Sequence, residues 1–139
     1  MAVASLPHLR QKPWGRIVFV TSVSVKQPIP NLTLSNAARS GATAYARTLA
    51  GEVAADGITV NCLMPGYTLT DRVRSLAGAP PDAGPDHPSF ATLVGDVPAG
   101  RLGLPEELAA VAAFFCSARS SYLTGVSLQV DGGWCRSLL

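Results

Sequence analysis

A chain of 139 residues that is 47% hydrophobic and 14% charged suits one compact domain and argues against disorder. Its formal charge of +2 comes from scattered Lys and Arg, and three Tyr, four Phe and two Trp leave little for base stacking, so a nucleic-acid partner is not expected. No window reaches the roughly 20 apolar residues that a membrane span requires, so a membrane partner is not expected either.

The first residues, MAVASLPHLRQKPWG, carry a Pro within the apolar stretch and no hydrophobic region of signal-peptide length. Arg16-Ile17-Val18-Phe19-Val20-Thr21-Ser22, entered through Gly15, reads as a strand buried on both faces of a parallel sheet. After Pro28 and Pro30, small or apolar residues recur at Leu34, Ala37, Ala38, Gly41, Ala42, Tyr45, Leu49 and Val53, the spacing of a helix that Gly57 is placed to end. Ile58 to Met64 repeats the buried-strand pattern and closes at Pro65-Gly66, giving strand, helix, strand with a right-handed crossover.

From Tyr67 to about Leu104 the composition changes. Ala79 to Pro88 is too rich in Pro, Gly and Asp for regular structure, with short helices expected at Asp71–Leu76 and Ser89–Val94. Loops this long inside a compact domain are usually functional lids or disordered, and 67–104 is expected to form a lid-like loop region. Pro105-Glu106-Glu107 starts a helix, with Pro in its first turn and carboxylates at the positive dipole end. Val126 to Val130 reads as a last strand before Asp131-Gly132-Gly133. Cys62, Cys116 and Cys135 show none of the short paired spacings of metal sites; they read as buried or free thiols in a reducing compartment, hence a cytoplasmic protein without a metal. His8 and His87 stand alone and are not expected to act as ligand or base.

Five segments in order, GRIVFVTS, ARTLAGEVA, GITVNCLMPGYTLTD, GRLGLPEELAAVAAFF and YLTGVSLQVDGG, resemble the short-chain dehydrogenase/reductase family, and in particular its 3-oxoacyl-reductase-like members. The resemblance implies an α/β fold, here the C-terminal half of a Rossmann-like doubly wound parallel sheet. It also implies hydride transfer between NAD or NADP and a small carbonyl or alcohol substrate. The glycine-rich turn that holds the cofactor pyrophosphate at a helix N-terminus is not among these segments. Residues 1–139 are therefore expected to form a single partial domain with weak cofactor affinity of its own.

Ser22 matches the family serine that positions the substrate oxygen. Thirteen residues on, where the family has its general-acid Tyr, stands Ser35; four further, where it has Lys, stands Arg39. An aliphatic hydroxyl is far less acidic than a phenol and shorter in reach, and a guanidinium does not exchange protons near neutral pH. Ser35 and Arg39 are thus doubtful members of a catalytic set, and Tyr45, ten positions on, is expected to face elsewhere. Pro65, Gly66, Thr68 and Thr70 match the family's contact to the nicotinamide carboxamide. Asp131-Gly132-Gly133 matches its closing turn.

The function implied is an NAD(P)-dependent oxidoreductase, truncated and weak or inactive alone. The alternatives are a non-catalytic binding or assembly protein derived from that family, or a degraded gene product. Association as a homo-oligomer or with a companion chain is expected, because an open strand edge and uncovered apolar faces favour pairing and because family members associate through the helix beginning near Leu34.

Overall fold

The computed structural model describes residues 2–138. Three parallel strands, β1 (Gly15–Val20), β2 (Ile58–Pro65) and β3 (Ser127–Val130), form one sheet in the order β1-β2-β3. α1 (Ala2–Leu9) precedes the sheet, α2 (Thr33–Val53) connects β1 to β2, and α5 (Pro105–Phe115) precedes β3. Within this frame the fold is α/β with helices on both sheet faces, as the sequence pattern predicts.

Strand alternation assigns the faces. Ile58, Val60 and Cys62 of β2 join Ala46, Leu49, Ala50 and Val53 of α2 and Leu6 of α1 in one cluster, with Ile17 and Phe19 of β1 packed against it. The opposite face carries Arg16, whose Nε donates to Ser117 O just beyond α5 at 3.1 Å, and Asn61. Asn61 is buried and fully engaged: its amide donates to Leu123 O at 2.8 Å and its carbonyl accepts from Val126 N at 3.0 Å, fixing the chain that leads into β3. Gly57 closes the α2 segment at φ +73°, where a side chain would be strained.

One expectation needs correction. β1 stops at Val20 and is not buried on both faces: Arg16 to Phe19 are half-buried and Val20 is 54% exposed. The cause is position, since β2 has a strand on each side and β1 has one neighbour among the described residues. The segment 67–104 carries the two short helices that the sequence predicts, the second starting two residues later than expected. α3 (Asp71–Leu76) and α4 (Ala91–Gly95) gather with Ala83, Phe90 and Leu102 into a cluster of their own, packed by Leu69, Val73 and Leu93. α1 has no counterpart in the sequence reading; Pro7 lies inside it, and Leu6 anchors it to the core. Among the described residues no helix is long and apolar enough to cross a membrane.

Candidate functional site

The register of β1 against β2 pairs Val20 with Leu63. Two residues further, Ser22 and Pro65 therefore leave the sheet side by side at the carboxyl ends of adjacent strands, where ligands bind in open α/β sheets. A cavity of about 40 Å³ lies there, lined by Ser22, Val23, Ile29, Pro65, Gly66, Tyr67 and Trp134. It is large enough for one small polar group and too small for a whole ring.

Ser22 Oγ accepts from Ser24 N at 3.1 Å and so caps the 3-10 turn Val23–Val25. An accepting hydroxyl keeps its own proton, so Ser22 can still donate to an oxygen placed in the cavity. Gly66 N donates to Val130 O at 3.0 Å, and a Cβ on Gly66 would stand 2.6 Å from Cβ of Asp131. The Pro65-Gly66 turn thus exists in this form because β2 and the end of β3 approach closer than any side chain permits. Asp131 holds its side of the contact by accepting from Gly133 N and Cys135 N, each at 2.9 Å.

The remaining residues expected at the site fall outside this cavity. Thr68 is buried, donates to Gly66 O at 3.4 Å and bridges Gly103; it lines a separate cavity of about 150 Å³ with Arg101, Glu107 and Asp131. Thr70 caps α3 by accepting from Val73 N at 3.4 Å. Ser35 sits half-buried in the first turn of α2. Arg39 is exposed, and its Nη1 donates to Val20 O at 2.7 Å. Tyr45 packs edge-on against Phe19, with ring centroids 6.0 Å apart.

Tyr67 and Trp134, which wall the Ser22 cavity and meet edge-to-face at 5.7 Å, are absent from the sequence reading of the site. Tyr67 follows Pro65-Gly66 directly, a usable signal. Trp134 reaches the cavity only because the chain reverses at Gly132 and Gly133, both at positive φ. Burial, reinforced by Asp96, raises the Tyr67 phenol above its ordinary range, which keeps it protonated. Burial likewise raises the Cys62 thiol. At the start of α5, Arg101 grips Glu107 with both arms, at 2.8 and 2.6 Å, and Glu107 also accepts from Leu104 N at 2.8 Å. The Arg101 hydrogen bonds, then the backbone one, hold the Glu107 carboxyl at about 2.

The sequence profile described as enoyl-(acyl carrier protein) reductase matches residues 1–135. The chain belongs to the short-chain dehydrogenase/reductase family. It is 36% identical over 133 residues to 3-oxoacyl-[acyl-carrier-protein] reductase FabG of Haemophilus influenzae, a match that takes in 96% of this chain and 51% of that one. It is also 36% identical over 120 residues to acetoacetyl-CoA reductase of Cupriavidus necator, covering 86% of this chain and 45% of the relative. Among solved structures it resembles 3-ketoacyl-(acyl-carrier-protein) reductase from Brucella melitensis complexed with NADH, with TM-score 0.82, 31% identity and coverage of 97% and 52%. The chain spans about half the length of the curated relatives it matches. Its three parallel strands and flanking helices are the part of the family's Rossmann-like fold that those structures share with it.

Proposed function

We propose that this chain carries the substrate-oxygen and nicotinamide-carboxamide contacts of an NAD(P)-dependent oxidoreductase acting on a small carbonyl or alcohol, and that its turnover alone is weak or absent. The observation that carries the reading is the convergence of Ser22 with Pro65 and Gly66 in one cavity at the carboxyl ends of adjacent strands. The residues fit one end of the cofactor: the backbone of Pro65 and Gly66 lines a cavity that admits a carboxamide-sized group. NAD or NADP, when bound, supplies or receives the hydride. Ser22 donates its hydroxyl proton as a hydrogen bond to the substrate oxygen and so orients the carbonyl. Pro65 and Gly66 hold the carboxamide, with Thr68 and Thr70 keeping the segment that follows in place.

The proton step is where this chain falls short. Ser35 offers no phenol, and the guanidinium of Arg39 is engaged on Val20 O. That engagement favours a second reading, a non-catalytic binding or assembly protein. The relatives' names suggest a 3-oxoacyl thioester as substrate class. Three free cysteines support a cytoplasmic setting, and the exposed Leu34 and Tyr45 along α2 support a homo-oligomer or companion-bound form.

NADPH oxidation with acetoacetyl-CoA tests this reading. The protein should show little activity, and Ser35→Tyr with Arg39→Lys should raise it by about 10²-fold, the usual contribution of a placed general acid. Strong activity that ignores both Ser22→Ala and Ser35→Ala would overturn it. Titration by nicotinamide fluorescence should show no saturation in the micromolar range.

A further inference from the structure

The cavity at the carboxyl ends of β1 and β2 is lined by two hydroxyl groups, that of Ser22 and the phenol of Tyr67. The rest of its lining is Val23, Ile29, Pro65, Gly66 and Trp134, and none of these releases a proton near neutral pH. The first three are apolar, Gly66 N is taken by Val130 O, and an indole N–H donates a hydrogen bond without ionising. A serine hydroxyl donates in the same limited way. A phenol, with an ordinary pKa of about 10, is the strongest acid on these walls.

The walls stand close together. A compact space of about 40 Å³ is on the order of 4 Å across, so an oxygen bonded to Ser22 lies near every residue that lines it. Tyr67 is fixed there from two sides: the turn before it is pressed against Asp131 at Gly66, and Trp134 meets its ring at 5.7 Å and 75°. Among the described residues no hydrogen bond occupies the phenol, so its proton is available. Ser35 and Tyr45, by contrast, line no part of this cavity.

We infer that Tyr67 is a catalytic residue, the donor of the proton that the substrate oxygen takes up, in place of the phenol that α2 lacks. This rests on reading the Ser22 cavity as the carbonyl site. The carbonyl carbon receives the hydride of the reduced nicotinamide, the C=O π pair moves onto the oxygen, and that oxygen takes the proton from Tyr67 Oη. One O–H bond breaks on the phenol and one forms on the product, which leaves as the alcohol with the cofactor oxidised. The phenolate regains its proton from water. Burial and Asp96 both oppose the phenolate, and no cation lines the cavity to offset them, so the step is slow. Tyr67 thus accounts for weak turnover where Ser35 and Arg39 alone give none.

Acetoacetyl-CoA labelled with carbon-13 at its ketone carbon reads the hydrogen bonds at that oxygen, with no cofactor present and no turnover. Added to the full chain, its ketone resonance should move downfield. Tyr67→Phe keeps the ring against Trp134 and should lose roughly half of that shift, as removal of one of two donors requires, and Ser22→Ala should lose roughly the other half. Tyr67→Leu should behave as Tyr67→Phe, which covers the case of one variant folding poorly. NADPH oxidation gives an independent readout. Tyr67→Phe should lower the wild-type rate about tenfold, less than a well-placed acid contributes, yet should lower the rate of Ser35→Tyr with Arg39→Lys less than about twofold, because a second phenol then does the work. A shift lost in Ser22→Ala and intact in Tyr67→Phe overturns the inference and leaves the carbonyl reading standing. No shift in the wild type, or one that Ser22→Ala leaves unchanged, overturns both. Equal oxidation rates in wild type and Tyr67→Phe, zero included, also overturn the inference.

Discussion

β1 and β2 are built from the same kind of residues and have opposite environments. β2 is buried from Ile58 to Met64, whereas β1 is half-buried along its length and ends on an exposed Val20. The difference comes from the number of strand neighbours among the described residues, two against one, and not from composition. It teaches that among the described strands burial is concentrated in β2, while β1 leads into the candidate site residue Ser22 and ends on the carbonyl that Arg39 holds.

The largest break in that comparison should come from Leu63→Ala. Leu63 is 0% exposed, and its truncation should cost about 2–5 kcal/mol in urea unfolding. Val18→Ala, on the neighbouring strand, should cost less than about 1 kcal/mol, because an edge site loses little buried area. Equal losses would show that β1 is covered in solution. Asn61→Ala should follow at about 1–3 kcal/mol, since it strands Leu123 O and Val126 N without their partner. Gly66→Ala should cost about 1–3 kcal/mol through the collision with Asp131, with the nicotinamide-side turn shifting alongside. A neutral result would mean that β2 and β3 separate easily at this end.

The start of α5 sharpens the picture through pH. Glu107 has its carboxyl lowered from 4.5 to about 2 in the fold, so its pairing stabilises the native state above the unfolded value and is lost as pH falls from about 4.5 toward 2. Acid unfolding followed by circular dichroism should therefore flatten across that window in Glu107→Gln. Both partners are solvent-exposed, so this effect is smaller than those of the buried changes. Val20→Thr should be smallest of all, within about 0.5 kcal/mol, as expected of an exposed side chain.

Much of the frame was legible because it is periodic. The α2 pattern from Leu34 to Val53, the strand ending at Pro65-Gly66, the short helix Asp71–Leu76 and the Pro105 helix start all rest on local rules of spacing, capping and turn chemistry. The small helix α1 escaped because Pro7 inside it signals a break, and only the packing of Leu6 against α2 and β2 overrides that signal. In the candidate site Ser22, Pro65 and Gly66 were readable as strand ends. Trp134 was not, since two positive-φ glycines had to fold the chain back on Pro98 and Val97 before the indole could reach Ser22's cavity.

By itself, the sequence determined which segments from β1 onward are strands and helices and that the sheet is parallel. Those are consequences of residue type and distance along the chain. Tertiary structure alone decided that β1 has one strand neighbour among the described residues, that residues 67–104 close on a cluster of their own, that Thr68 and Ser22 line different cavities, and that Arg39 reaches the carbonyl of Val20. Each of these depends on which distant groups occupy the space beside a residue, a quantity that no local pattern encodes.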